Sequence, residues 1–376
     1  LEAAGDNVTS EGCEIKNYGP DGNTNADGVV AWNSSNNNVI VRDNYMHHLG
    51  YAGVLTGNGW GGPQGVHDNW QVTYNKVESP IGAYGFDMEN VKNSSISNNE
   101  ILNIPFYNIN VIALATESGA SVTTENVVVS NNVLSGGNDR NINLFAWTDG
   151  GADRTAVVQN ITVSNNSVSG IFTMMDVWKT GPGTTTIQNI TITGNTLTVN
   201  NPKAAGNAVS FGDVGGTSVF SGNAVTLTGA LAGGVTFFHA MNIGGAGTGT
   251  LTINNNQLDG NDLGALNCGF RLRNTLPATA VLNFSGNTIT EFANGIRSDD
   301  LTAGVGITVY SNSITSNSNK GILNGSGVGQ LVDASSNWWG VNTEVGVAAA
   351  VSTNVDYTPW LNNGTDAEPV TPGFQG

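Results

Sequence analysis

Along the whole chain, short runs recur in which β-branched or aliphatic residues alternate with polar ones. Each run closes on an asparagine, one spacer residue and another aliphatic. Val127 to Leu134 (VVVSNNVL), Ile161 to Val168 (ITVSNNSV), Ile190 to Leu197 (ITITGNTL), Leu251 to Leu258 (LTINNNQL) and Ile307 to Ile314 (ITVYSNSI) are five copies. A period of two is the spacing of a β-strand, so these runs are predicted strands. Anchored on the turn asparagine, copies fall at Asn17, Asn44, Asn75, Asn99, Asn132, Asn166, Asn195, Asn223, Asn256, Asn287, Asn312 and Asn337. These twelve copies are spaced 24 to 34 residues apart, inside the ~20 to 50-residue range that marks solenoids and propellers. Each copy also holds a second strand, often opened by Gly and an aliphatic, as at Gly53-Val54, Gly234-Val235, Gly295-Ile296 and Gly321-Ile322.

One such unit cannot bury its inner face alone, whereas stacked coils give every strand a parallel neighbour at ~4.8 Å. A propeller blade needs ~40 to 50 residues and antiparallel hairpins, which this interval does not supply. Asparagine at the same corner of successive coils hydrogen-bonds to its counterparts and tolerates the left-handed backbone of a tight corner. The repeat resembles that of the right-handed parallel β-helix superfamily, the pectin-lyase-like fold. The expectation is an all-β, single-domain right-handed parallel β-helix of about twelve coils over residues 1–361. That superfamily hosts lyases, hydrolases, epimerases and passive surface rods, so the resemblance implies no single activity.

The ends depart from the repeat. Asn337-Trp338-Trp339-Gly340 and Val355-Asp356-Tyr357-Thr358-Pro359-Trp360-Leu361 resemble the terminal segment of β-helix regions in large secreted or cell-surface bacterial proteins. The resemblance implies a Trp-rich cap at 337–361, followed by a linker at 362–376. Val8 to Ile15 already reads as a coil, which leaves a first face open to head-to-tail self-association.

Composition sharpens the class. The 53 Asn and 51 Gly stand against only 11% charged residues, and 29 Asp and Glu outnumber 12 Lys and Arg for a net charge of −17. Such a balance opposes nucleic-acid binding, and no apolar run suits membrane insertion. The reading is a secreted, extracellular or cell-surface module. Cys13 and Cys268 show no metal-ligand spacing and read as reduced, packed residues.

Candidate chemistry centres on Gly82 to Asn90 (GAYGFDMEN). With Phe86 and Met88 inward, alternation puts Asp87 and Glu89 on the outer face, about 6.5 to 7 Å apart along the strand, a spacing that suits two carboxylates acting on a sugar. Tyr84 and His67 complete the catalytic candidates. Tyr84-Gly85-Phe86-Asp87 is similar to the YG(I/F)D stretch of secreted alginate epimerases. That family continues with Pro and His where this chain has Met88 and Glu89.

The same outward register collects Phe145, Trp147, Met174, Asp176, Trp178, Phe238, Arg271, Arg273, Arg297 and Asp299. Of these, Phe145, Trp147, Trp178, Arg271, Arg273 and Arg297, together with Trp60, form a candidate surface for an extended glycan, rings stacking on sugar faces and guanidinium groups pairing with carboxylates. Asp21, Asn23, Asn25 and Asp27, ahead of Gly28, have the oxygen-ligand spacing of a calcium loop, without the downstream Glu of an EF-hand. No cofactor is required by this reading, and calcium is the one ion it suggests. Two functions follow: a structural or adhesin-like module contacting a surface or extracellular polysaccharide, self-assembling into a filament through its open first coil, or a lyase, epimerase or hydrolase centred on Asp87 and Glu89.

Overall fold

The computed structural model describes residues 1–3, 5–19, 26–32, 35–57, 65–137, 139–245, 247–264, 266–299, 301–325, 331–367 and 373–374. The chain divides into two compact units, one of Leu1–Gly170 with Met174–Ile190, the other of Ile171–Thr173 with Thr191–Gly376. Both are built of parallel strands in the right-handed β-helix manner expected from the repeat. The one α-helix among the described residues is Glu344–Ala350, and no helix is long and apolar enough to cross a membrane.

In the first unit, Val29–Ala31, Ala52–Thr56, Tyr84–Glu89, Tyr107–Ala115 and Arg140–Thr148 pair in sequence as one sheet. A second sheet runs through Glu14–Tyr18, Tyr45–Leu49, Lys76–Ile81, Glu100–Leu102, Val133–Ser135 and Ser167–Gly170. The second unit repeats this plan with Gly206–Gly212, Phe238–Gly244, Cys268–Leu272, Asn294–Ser298 and Lys320–Asn324. The count of coils falls short of the twelve anchors; after the last anchor the described pairing is reduced to single bridges from Ser313 to Trp338 and from Ile322 to Val351 and the short pair of Val332–Asp333 with Val355–Asp356. Gly234-Val235 opens no strand; Gly234 sits in a turn at φ 86° and the strand begins at Phe238.

The asparagine column is present and is buried. In the first unit Asn44, Asn75, Asn99, Asn132 and Asn166 form a ladder in which each side-chain oxygen accepts from both the backbone N–H and the side-chain amide of the preceding member, at 2.9 to 3.1 Å. Asn195, Asn223, Asn256, Asn287, Asn312 and Asn337 do the same in the second unit. The side-chain amides also reach carbonyls of the earlier coil, as Asn75 does to Val41 at 2.9 Å, so buried polar groups are satisfied rather than stranded.

Two details correct the expectation. The left-handed corner residue is not the ladder asparagine but the residue before it: Asp43, Tyr74, Asn98, Asn131 and Asn165 all have φ between 55° and 58°. Asn17 is also outside the ladder. The position facing Asn44 is Cys13, whose N–H donates to the Asn44 side-chain oxygen at 3.1 Å and which follows Gly12 at φ 65°. Cys13 is exposed rather than packed, while Cys268 is buried; both are free thiols.

The three C-terminal tryptophans differ in burial. Trp339 alone is buried, against Gly321, while Trp338 and Trp360 remain half-buried. The short helix adds Val347, which is buried, and its N-cap Thr343 accepts from Gly346 N–H.

Candidate functional site

In the strand Tyr84–Glu89, alternation separates two faces. Phe86 and Met88 are fully buried in the core, and Asp87 and Glu89 lie on the other face. They are not solvated there, for Asp87 is 3% and Glu89 5% exposed. Register places Asp87 between Leu55 and Asn110, with Asn143 one strand further on. Glu89 pairs with Ile112, which pairs with Phe145.

A chain of amides is aimed at Asp87. Trp178 Nε1 donates to Asn143 Oδ1 at 2.9 Å, Asn143 Nδ2 donates to Asn110 Oδ1 at 2.7 Å, and Asn110 Nδ2 donates to Asp87 Oδ1 at 2.7 Å. Those bonds orient the carboxyl and favour its ionised form. Burial outweighs them and pushes the Asp87 carboxyl up to about 7. Asp27 is pushed up to about 7 as well, first by burial and further by the charge of Asp87, against one hydrogen bond from Ala52 N–H at 3.1 Å. Its other oxygen is buried with no hydrogen-bond partner.

Aromatic rings surround these acids. Tyr51 and Tyr84 meet edge to face at 5.3 Å, and Tyr84 meets Tyr107 at 5.4 Å. Burial raises the Tyr51 and Tyr84 phenols above their ordinary range, so both remain donors. Tyr51 and Tyr84 also pack with half-buried Trp32 on a cluster of Val30, Ala52 and Leu55.

Phe145 stacks on Trp178 with centroids 3.9 Å apart and planes 15° off parallel, and Trp147 lies 5.4 Å from Phe145. The Arg140 guanidinium sits 5.2 Å over the Trp178 ring and 5.5 Å over Tyr107. It also pairs with Asp176 and, at 2.8 Å, with Asp139. Phe145 and Trp178 thus spend ring surface on each other and on Arg140.

The other candidates separate. His67 is fully buried beside Trp70, edge to face at 5.9 Å, and its Nδ1 accepts from Asn36 N–H at 3.4 Å. Burial lowers it to about 4, which keeps the ring neutral near pH 7. Its strand neighbour is Val91, and it shares no hydrogen bond with Asp87 among the described residues. Met174 and Phe238, expected outward, are buried; Met174 accepts from the buried Asn141 amide at 3.7 Å. Alternation slips at the strand openings, where Gly85 and Phe86 are consecutive buried residues.

Trp60, Asp21, Asn23 and Asn25 lie outside the described residues. Among the described residues no group of three or more His, Cys, Asp or Glu gathers to hold a metal ion. Arg271, Arg273 and Arg297 do come together, on the second unit, around Asp299.

Sequence reading did not single out Asn110, Asn143 and Arg140. Asn110 and Asn143 are 33 residues apart, a coil's length, and that interval was the available signal.

No protein-family model and no curated protein matches this sequence. Among solved structures, the chain is similar to one described as the crystal structure of the Agl-KA catalytic domain, with a TM-score of 0.41 and 11% identity. The match covers 89% of this chain and 62% of that one, so this chain spans less than two thirds of that domain.

Proposed function

We propose that this β-helix acts on an extracellular or surface polysaccharide, with Asp87 as the group that delivers a proton to the glycosidic oxygen. The supporting observation is a carboxyl raised to about 7 by burial, held at one oxygen by a directed amide chain, in a setting of tyrosines. The register neighbours of Asp87 are the aliphatic Leu55 on one side and Asn110, the donor of that chain, on the other. Perturbed carboxyls of this kind concentrate at functional sites.

Near neutrality a substantial fraction of Asp87 carries its proton and serves as general acid. Glu89, two residues on along the same face and so about 6.5 to 7 Å away, is the second carboxylate. That separation leaves room for a water molecule. Asp87 protonates the leaving oxygen as the bond to the anomeric carbon breaks, water adds to that carbon, and Glu89 takes the water's proton. Tyr84 and Tyr51 supply ring surface and phenol donors to the sugar.

The test is incubation with a panel of neutral and acidic polysaccharides, scoring new chain ends. Asp87→Asn should lower turnover about 10²- to 10⁴-fold, the usual contribution of general acid catalysis, and Glu89→Gln should act similarly. Unchanged turnover in both variants rejects this role. The low exposure of Asp87 and Glu89 favours a second reading, a glycan-contacting structural module without turnover. Retention of a polysaccharide with no new chain ends would support it.

A further inference from the structure

Three of the chain's six arginines meet at one carboxylate in the second unit. Asp299 Oδ2 accepts from Arg271 Nε at 3.2 Å and Nη2 at 3.0 Å. Arg273 Nε lies 3.8 Å from the same oxygen, and Arg297 Nε lies 3.5 Å from Oδ1. Arg271 and Arg297 are directly opposite across neighbouring strands. Like charges in that position repel, and one carboxylate cannot neutralise three guanidinium groups that stay charged at all working pH values. Among these described side chains two positive charges are left over, in a chain whose net charge is −17.

Among the described residues, the polar neighbours Asn242 and His239 do not remove that excess. Asn242, the strand partner of Arg271, has a buried side-chain oxygen without a hydrogen-bond partner. Arg273 Nε is buried and lacks a hydrogen bond of good geometry. His239 faces Arg271 with Nε2 at 3.4 Å and takes Cys268 N–H on Nδ1 at 3.0 Å. Burial first, and then the three arginines, hold His239 down at about 3, so it stays neutral and adds no charge. The guanidinium groups are nonetheless reachable, for the Arg273 side chain is 42% exposed and Arg297 33%.

We infer that Arg271, Arg273 and Arg297 form a binding site for the carboxylate of an acidic sugar, with Asp299 setting the guanidinium planes. Planar forks match a planar carboxylate through paired N–H bonds. The site belongs to the second unit and does not depend on Asp87 being catalytic. It extends the proposed function by naming a ligand class, polysaccharides that carry uronic acids.

The experiment measures retention of fluorescent oligogalacturonate, a sulfated dextran oligomer and a neutral cello-oligosaccharide on the whole chain at low and high salt. Oligogalacturonate should bind best, and its affinity should fall steeply with salt. Arg273→Gln and Arg297→Gln should each weaken it at least tenfold and flatten the salt dependence. Arg297→Lys, which keeps the charge but loses the fork, should keep the salt dependence and recover only part of the affinity. If Arg297→Gln does not fold, Arg273→Gln decides alone, because Arg273 is the most exposed of the three.

Retention by both glutamine variants equal to that of the unchanged chain, absence of oligogalacturonate binding at low salt, or preference for the sulfated oligomer would each overturn the inference. Failure of the Asp87 proposal shows separately, as undiminished turnover in Asp87→Asn with carboxylate retention intact.

Discussion

The Asp87 strand face and the Asp299 cluster manage charge in opposite ways. Around Asp87 the unfavourable charge is removed by a proton, because burial lifts both Asp87 and Asp27 to about 7. Around Asp299 the charge cannot be removed, since guanidinium does not release its proton, and the titratable neighbour gives way instead: burial first, and then the arginines, hold His239 neutral down to about 3. A group that can change its protonation in the working range is suited to moving protons. A fixed excess of cations is suited to holding an anion.

Isosteric replacement of the two aspartates tests this contrast most strongly. Asp299→Asn leaves three arginines without their shared counter-charge and should cost roughly 2 kcal/mol in chemical denaturation at pH 7, allowing for the partial exposure of the arginines. Asp87→Asn keeps the shape, removes a carboxyl that is costly to ionise, and should stabilise at pH 8. Equal signs for the two variants would break the comparison.

The next effect is in the pH dependence, where the two sites have opposite slopes. Asp87 and Asp27 are raised in the folded state, so between about 4 and 7 the native chain holds more protons than the unfolded one. Their contribution is full below about 4 and is lost as pH rises through about 7. His239 is lowered from 6.5 to about 3, so the unfolded chain holds more protons in that window. Its contribution is full above 6.5 and is lost as pH falls toward 3. In denaturant titrations from pH 4 to 8, Asp87→Asn should flatten the alkaline loss by about 1 to 3 kcal/mol, and His239→Gln should flatten the acid loss. Indistinguishable profiles for the two variants would show that the sites do not differ in this way.

The smallest effect lies away from both sites and sets the scale for neutral hydrogen bonds. Cys13 occupies a ladder position at the first coil and is exposed. Cys13→Asn should extend the ladder by one member and stabilise by about 0.5 to 1 kcal/mol, the net worth of one such bond. A midpoint unchanged in urea would argue that the column gains nothing from extension at an exposed end.

Much of the fold was legible because alternation and the spacing of asparagines are local and repeat. Phe86 and Met88 against Asp87 and Glu89 followed from the two-residue period alone. What local pattern could not give was cover: alternation puts Asp87 on the outer face, and its burial there depends on residues contributed by other coils. The ladder itself misled by one residue, because Asn131-Asn132 or Asn165-Asn166 offers two identical side chains for two different tasks. The first turns the corner with positive φ, and the second bonds across coils. Asn17 has the residue type of the ladder but not its position, which Cys13 holds. The arginine cluster was readable from extended register, but its convergence on Asp299 required the distances.

Each asparagine ladder also has a sense. Each member before the last gives its backbone N–H and one side-chain N–H to the member after it, turns the other side-chain N–H back to a carbonyl, and receives on its oxygen from the member before, so the side-chain carbonyls within a unit all point one way. In the first unit the oxygen of Asn44 accepts from the Cys13 backbone, and in the second the amide of Asn337 ends on the carbonyls of Val309 and Ala334. The column is polar in the manner of a helix, with acceptors toward its early end and donors toward its late end. A coil added by duplication joins without conflict only in the same direction, because reversal would set donor against donor. The repeat therefore carries an arrow, and every coil within a unit reads it in the same direction.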